Sequence, residues 1–483
     1  MQAGLLDDLA GLLPGRVSTS ADDLAAHASD YWPRAVMARR ADDGEGGVRP
    51  GAVVWPTSTE EVARVLAWCD AARMPVVPFG AGTGVCGGAN AVAGAVTLDL
   101  SRMAAVGELD DVSGTVQVQP GVLAQALEDH VAARGWTLGH FPSSIGCSTV
   151  GGLLAIRSAG QASSHYGKLE DMVLALEVVL ADGTVVATRP VPSTSSGPPL
   201  TRLFLGGEGT TGVITSATLQ VHPRPEVAID RGVLFPDLAT GLDALRAVIR
   251  AGLTPTVARL YDEADTQSSF PGLTTSGCVL VVAAEGSRRV AEFVADAVLR
   301  VVTEAGGTDL GAAPGEQWRA HRYALAEWYV EHLRSGGTFG PGTLLDTMEV
   351  AHVWSGLPRL YDAVRAALTE HADAVLAHVS HIYPSGASIY FTFSGSAPDE
   401  ASALARYDAA WEAGQRAALA AGGTISHHHG IGLLRAPWLA DDLGPGGMEL
   451  LRRIKRALDP NGILNPGKLG LGLAPGVDDR QPA

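Results

Sequence analysis

Between Pro78 and Gly88 the chain reads PFGAGTGVCGG, five glycines and one alanine in eleven residues. Without Cβ atoms the backbone can take φ > 0 and aim successive N–H groups at an anion. The apolar residues before it (Met74–Val77) and the strand-like AVTLDL after it (Ala95–Leu100) make this stretch a phosphate cradle in a β-turn-β setting. No helix opens directly on the glycines, so the G-x-G-x-x-G pattern of a βαβ dinucleotide unit is not met. An ordinary glycine-rich turn is the competing reading, because glycine marks loops freely.

A chain of 483 residues has room for two or three domains. Hydrophobic residues at 46% and charged residues at 18% describe a soluble globular enzyme, and a formal charge of −17 disfavours nucleic acid and anionic membrane as partners. No apolar run approaches the roughly 20 residues of a membrane span. The opening MQAGLLDDLAGLL carries two aspartates and no basic region, so no signal peptide is expected, and the closing DDRQPA is not a peroxisomal SKL signal. Four scattered cysteines (Cys69, Cys86, Cys147, Cys278) lack C-x-x-C spacing, which fits a reducing cytoplasm and argues against a zinc or disulfide framework. The Ala, Gly and Arg richness points to a bacterial source.

Along the chain, residues 1–48 read as a helical segment ending in the linker ARRADDGEGG (Ala38–Gly47). PTSTEEVARVLAWCDAARM predicts a helix with Ser58 and Glu61 at capping-box spacing and Val62, Val65, Leu66 and Cys69 on one face. Strands follow at Thr115–Pro120, at Val173–Ala187 with a turn at Asp182-Gly183, and at Ile214–Pro223. From 226 to 421, strands such as CVLVVAAEG alternate with amphipathic helices such as GLDALRAVIRAG, predicting an antiparallel sheet with helices on one face. PVPSTSSGPP (Pro190–Pro199) reads as a surface loop.

Two further blocks sharpen the glycine loop: GHFPSSIGCSTVGGLLAIRSAG (Gly139–Gly160) and LGGEGTTGVI (Leu205–Ile214). With that loop they resemble the flavin domain of the vanillyl-alcohol oxidase and para-cresol methylhydroxylase (PCMH) superfamily. The C-terminal SHHHGIGLLRAPWL (Ser426–Leu439) looks most like the alkyldihydroxyacetonephosphate synthase (alkylglycerone-phosphate synthase) branch, and ALDPNGILNPGKL (Ala457–Leu469) like the closing signature of the wider group. The resemblance implies an α+β fold: an FAD-binding domain of two α+β subdomains, PCMH type, over 49–225, an antiparallel-sheet cap or substrate domain over 226–421, and a return to the FAD domain over 422–483. It implies cofactor contacts from Pro78, Gly80, Ala81, Gly82, Thr83, Gly84, Gly87, Pro142, Ser143, Ser148, Thr149, Gly152, Glu208, Gly212 and Ile214. The glycine loop lacks the histidine that some relatives attach to the flavin, so non-covalent FAD is expected, with attachment through a cap residue left open.

A flavin takes a hydride at N5, so the protein must supply orientation, a base and charge stabilisation. His427, His428 and His429 are the first candidates. If Thr424–Gly430 is extended, His427 and His429 share one side and His428 the other; a satisfied polar cluster is the competing reading. Tyr390, in ASIYFTF, matches the active-site tyrosine of the synthase-like enzymes and could serve as acid, base or donor. Related D-2-hydroxy-acid dehydrogenases hold a metal through H-x-G-D-G-N-x-H and E-H-G-I-G; the matching positions here are His378, Tyr390 and His428, so two ligands of three are changed and no metal is expected, although His378, His381 and His428 could gather. For an anionic substrate group, Arg259 matches a family arginine, and Arg319, Arg322 and Arg334 are alternatives; Arg259, Arg322 and His378 are the substrate-binding candidates. The family string Tyr-x-Arg-Asp-Leu is Tyr329-Val330-Glu331-His332-Leu333 here, which puts an acyl dihydroxyacetone phosphate substrate in doubt.

The leading expectation is an FAD-dependent oxidoreductase that takes a hydride from a CH–OH or CH–NH centre of a small organic substrate, with His429 or Tyr390 as base. The resemblance implies an alternative, a transferase that exchanges an acyl for an alkyl group through a flavin adduct. A non-catalytic flavoprotein is the third reading, against which the intact His and Tyr motifs weigh. A homodimer is left open.

Overall fold

The computed structural model describes residues 3–41, 47–324, 326–329, 340 and 342–472. Its first sheet runs in the order Val17–Ser18, Ala52–Val54, Val96–Asp99, Val76–Phe79, and the last three strands are parallel. The helix Thr59–Ala72 forms as its sequence predicts: the Ser58 hydroxyl accepts from the N–H of Glu61, and Val62, Val65, Leu66 and Cys69 are fully buried against the sheet. The reciprocal half of the capping box is absent, because the Glu61 carboxylate accepts instead from Arg16 and from Thr57 N–H. The strands flanking the glycine loop are parallel neighbours, so the loop is a helix-free crossover of residues 80–95 rather than a tight turn.

Residues 3–41 contain three helices, Ala3–Leu12, Ala21–Ala26 and Pro33–Ala41, and also an unforeseen strand that pairs Val17 with Val54. This segment ties two parts of the molecule together. Trp32 Nε1 donates to Tyr407 Oη at 3.2 Å and Arg34 pairs with Asp408 at 2.8 Å, while Tyr31 N–H donates to the Gly84 carbonyl in the glycine loop.

A five-stranded antiparallel sheet follows, in the order Val106–Asp110, Thr115–Val118, Val213–Gln220, Val173–Val179, Val185–Ala187. The turn at Asp182-Gly183 closes with Gly183 N–H on the Leu180 carbonyl. The third sheet has seven antiparallel strands, ordered Thr308–Asp309, Val227–Phe235, Cys278–Gly286, Val257–Tyr261, Ala374–Ser380, Gly386–Ser396, Thr343–Val353. One face packs on the helices Leu238–Arg250, Arg288–Glu304, Leu357–Thr369 and Glu400–Ala420. The expectation of helices on one face only is corrected here. The short helices Glu263–Ser269 and Ala313–His321 cover part of the other face through Phe270 and Trp318, and the rest of that face is left to form a cavity wall.

After the helical stretch Ala436–Leu458, which breaks at Gly444, the chain returns to the first sheet: Val76 N–H donates to the Ile463 carbonyl and Asn465 N–H to that of Val76. Lys455 anchors this return, donating to Leu464 O at 2.7 Å and Thr210 O at 2.8 Å and pairing with the buried Asp459. Removing one partner of a buried ion pair strands the other charge. Lys455→Met is expected to cost about 3–5 kcal/mol in denaturant unfolding, with part of it recovered in Lys455→Met/Asp459→Asn; equal stability of Lys455→Met and parent would show that the pair does not hold the C-terminal return.

Candidate active site

A cavity of about 860 Å³ lies between the glycine loop and the open face of the seven-stranded sheet. Of the sequence-derived cofactor positions, Pro78, Gly80–Gly84, Pro142, Ser143, Ser148, Thr149, Gly152, Glu208, Gly212 and Ile214 line it. Gly87 does not; it has φ +75° and a Cβ there would meet the Trp32 ring at 2.8 Å. Among the described residues the N–H groups of Gly80, Ala81, Gly82, Thr83 and Gly84 find no protein acceptor. Five successive free donors on a wall of that cavity are an anion nest.

Two buried carboxylates frame the loop. Glu208, held at φ +47°, accepts from Ile431 N–H at 2.6 Å and Gly432 N–H at 2.8 Å, and so staples the C-terminal Gly-Ile-Gly to the cavity wall. Burial pushes this carboxyl up to about 7. Asp30, which sequence reading missed, accepts from Trp32 N–H at 3.1 Å through one oxygen, its buried second oxygen finds no partner among the described residues, and burial raises it to about 6. Nothing in the sequence around Asp30 marks it: Trp32 is two positions on, but the Asn90 side chain that accepts from the Asp30 N–H is 60 positions away.

Residues 427–429 are bent, so the condition for alternating histidine side chains is not met. The N–H groups of His427, His428 and His429 converge on one oxygen of Glu349, at 3.3, 3.2 and 2.8 Å. The side chains therefore fan out instead of alternating. His428 and His429 face the cavity, whereas His427 turns behind them onto the Tyr383 hydroxyl, 2.8 Å away. Glu349 is fully buried, pairs with the equally buried Arg435, and lies 3.2 Å from His429 Nδ1 without hydrogen-bond alignment. Burial by itself would raise the Glu349 carboxyl, but Arg435 and His429 outweigh it and hold it well below the usual range. Sequence reading missed Glu349 and Arg435. The arginine lies inside the quoted SHHHGIGLLR string and was the available signal.

Glu349 faces Tyr390 across the Thr343–Val353/Gly386–Ser396 ladder, and Tyr390 faces His378 across the next. Burial pushes the Tyr390 phenol up to about 12, which favours its protonated form at neutral pH. His378 stacks on Tyr390 with ring centres 4.9 Å apart, and its Nδ1 lies 3.0 Å from the Asp265 carboxylate; burial, then Arg259, holds it down to about 4. The Arg259 guanidinium sits over the Tyr261 ring and lines the cavity, and its buried Nε has no partner among the described residues. Arg322 also lines the cavity and stacks on Phe141 and Tyr323. Arg319 is committed to Asp230 and Glu285, which removes it as an anion site. Glu331 and Arg334 lie outside the described residues. The buried Cys86 thiol, pushed far up by burial, accepts from Arg435 at 3.1 Å as a packing group.

Comparison with known proteins bears on this assembly. Residues 224–469 match the family of FAD linked oxidases, C-terminal domain, and residues 50–189 match an FAD binding domain. The chain belongs to the FAD-linked oxidase family. It is 31% identical to alkyldihydroxyacetonephosphate synthase of Trypanosoma brucei brucei over 87% of this chain and 73% of that one. It is 32% identical to the uncharacterized FAD-linked oxidoreductase YgcU of Escherichia coli strain K12, over 87% and 89%. A solved alkyldihydroxyacetonephosphate synthase superposes with TM-score 0.78 at 25% identity over 96% of this chain and 85% of that one. A p-cresol methylhydroxylase structure shares the fold, with TM-score 0.77 at 20% identity over 97% and 96%.

This FAD-linked oxidase is an oxidoreductase with FAD as its cofactor and the PCMH-type arrangement of flavin and cap domains. The cavity fits that cofactor, since it joins a nest of free amides suited to a pyrophosphate to an open chamber at the cap sheet. Among the described residues no helix is long and apolar enough to cross a membrane.

Gly82 tests the loop. Its φ is +65° and the space over it is filled by the Phe79 ring at 2.6 Å, so the constraint comes from protein packing as well as from the ligand side. Gly82→Val is expected to lose FAD while staying soluble; purified protein as yellow as the parent would show that the loop does not hold the cofactor. Glu208 tests the staple. Because its folded carboxyl is raised, the stability it contributes is complete below about pH 4.5 and is lost as pH rises through about 7. Glu208→Gln should flatten the fall in thermal midpoint over that window, and an unchanged pH profile would refute the assignment.

Proposed function

We propose that this FAD-linked oxidase oxidises a CH–OH or CH–NH centre of a small organic substrate, that the amides of Gly80–Gly84 hold the FAD pyrophosphate non-covalently, and that His429 is the base. The observation that carries the reading is the placement of His429. Its loop is pinned by three N–H groups on Glu349, its ring faces the cavity, and the same carboxylate lies 3.2 Å from its Nδ1. Bound FAD supplies the hydride acceptor. His429 takes the proton from the substrate hydroxyl or amine, and the imidazolium it becomes is stabilised by Glu349. Tyr390 stays protonated and donates a hydrogen bond to the substrate oxygen or nitrogen. Arg259, with a buried unpartnered Nε, receives an anionic group. Substrate is a small molecule, and the charge of −17 weighs against a nucleic-acid partner. The scattered spacing of the four cysteines, without C-x-x-C, favours a cytoplasmic location.

The 31% identity to an alkyldihydroxyacetonephosphate synthase favours one second reading, a redox-neutral exchange of acyl for alkyl on the same site. An anaerobic screen separates the two. Bleaching of the flavin by a 2-hydroxy acid or an amine supports oxidation. Product formation from acyl dihydroxyacetone phosphate and a fatty alcohol, without net bleaching, supports the exchange. With the substrate so found, His429→Ala and Tyr390→Phe should each slow the reductive half-reaction by roughly 10²–10⁴-fold while retaining FAD. Parent-like rates in both would place the base elsewhere.

A further inference from the structure

The histidine run takes part in a second cluster, apart from the Glu349–His429 contact. His381, His427 and His428 bring one ring nitrogen each to within 4.8 Å of one another, and Nδ1 of His427 lies 3.0 Å from Nδ1 of His428. We propose that these three imidazoles form a site for one divalent transition-metal ion of the zinc or cobalt type, with its open coordination position toward the cavity.

Metal–nitrogen bonds of ~2.0–2.1 Å in a tetrahedral site put ligand nitrogens about 3.3 Å apart, so the tripod closes on an ion by drawing its nitrogens in from a spread of at most 4.8 Å. The ligands come from two separate segments. His381 ends the strand Ala374–Ser380 in the left-handed region, φ +53°, a conformation that a non-glycine residue keeps only where the surroundings impose it. Two rings are already oriented through their far nitrogens: His381 Nδ1 lies 2.6 Å from Ser163 Oγ, and His427 Nε2 lies 2.8 Å from Tyr383 Oη. Hydroxyl partners of this kind fix the ring angle and leave the opposite nitrogen for an ion. His381 and His428 line the cavity, so a substrate oxygen could reach the open position. Three neutral nitrogens suit zinc or cobalt better than calcium or magnesium, which prefer oxygen. Lys168, whose Nζ donates to the His427 carbonyl at 2.9 Å, is offset by Glu170 at 3.6 Å.

The set differs from the one motif matching suggests. His378 is held by Asp265, and Tyr390 stacks on His378, so of those three positions only His428 belongs to the tripod. The expectation of no metal weighed that triplet and a cluster of His378, His381 and His428, but not His427 as a ligand.

The test uses tag-free holoenzyme stripped with chelator and then titrated with zinc by calorimetry and with cobalt(II) by its ligand-field bands, at wavelengths beyond the flavin absorption. One ion per chain is expected. His381→Ala and His427→Ala should abolish stoichiometric binding while flavin absorbance stays intact, and Tyr383→Phe, which keeps every ligand, should weaken binding about 10–100-fold. If an alanine variant fails to hold FAD, Tyr383→Phe carries the test. No stoichiometric binding by the parent, binding undiminished in both alanine variants, or unchanged affinity in Tyr383→Phe where it alone is measurable, would overturn the proposal. The readout is binding, so the outcome does not depend on which reaction the enzyme catalyses.

Discussion

One buried carboxylate, Glu349, organises the reacting end of this molecule. A carboxylate with no exposure is tolerable only when its oxygens are fully engaged. Arg435, the Ser426 hydroxyl and the three N–H groups of His427–His429 meet that need together. The same contacts dictate the path of the histidine loop, so a demand of electrostatics becomes a device for aiming side chains. Arg435 in turn donates to the Gly430 carbonyl at 2.7 Å and to Cys86, coupling the loop to the glycine-rich crossover.

The site is built from parts that none of the sheets contains alone. The glycine crossover offers free amides, the cap sheet offers the half of its face that no helix covers, and the C-terminal return carries the histidines between them. Buried polar staples hold the parts in register: Glu208 on Ile431 and Gly432, Asp30 on Trp32, and Lys455 on Leu464. The Glu208 staple spans 223 positions of the chain, so that wall of the cavity exists only once the C-terminal return has docked on the flavin portion.

Burial also sorts the chemistry of groups that look alike on paper. Tyr390 is held in its protonated form because its anion would be desolvated. The three consecutive histidines receive different surroundings: His429 sits beside a carboxylate, while His427 and His428 meet each other and His381.

Local chemistry was legible in the chain itself. The glycine crossover, the Ser58 cap, the apolar face of Thr59–Ala72 and the alternating strands are short-range patterns that backbone sterics and side-chain period impose wherever they occur. The motifs also named most of the residues that line the cavity. Sequence could not judge what depends on partners remote in the chain: whether residues 424–430 are extended, the second covered face of the cap sheet, and the importance of Asp30, Glu349 and Asp265. A carboxylate buried by folding looks in sequence like any surface acid, and a loop whose amides converge on it carries no periodicity of its own. The sequence by itself therefore determined the elements, through contacts within a few residues, and its resemblance to a flavin family implied the cofactor class. Only the tertiary structure decided which histidine faces the cavity and which carboxylate stands behind it, because those choices are made by desolvation and by hydrogen bonds that do not exist until distant segments pack.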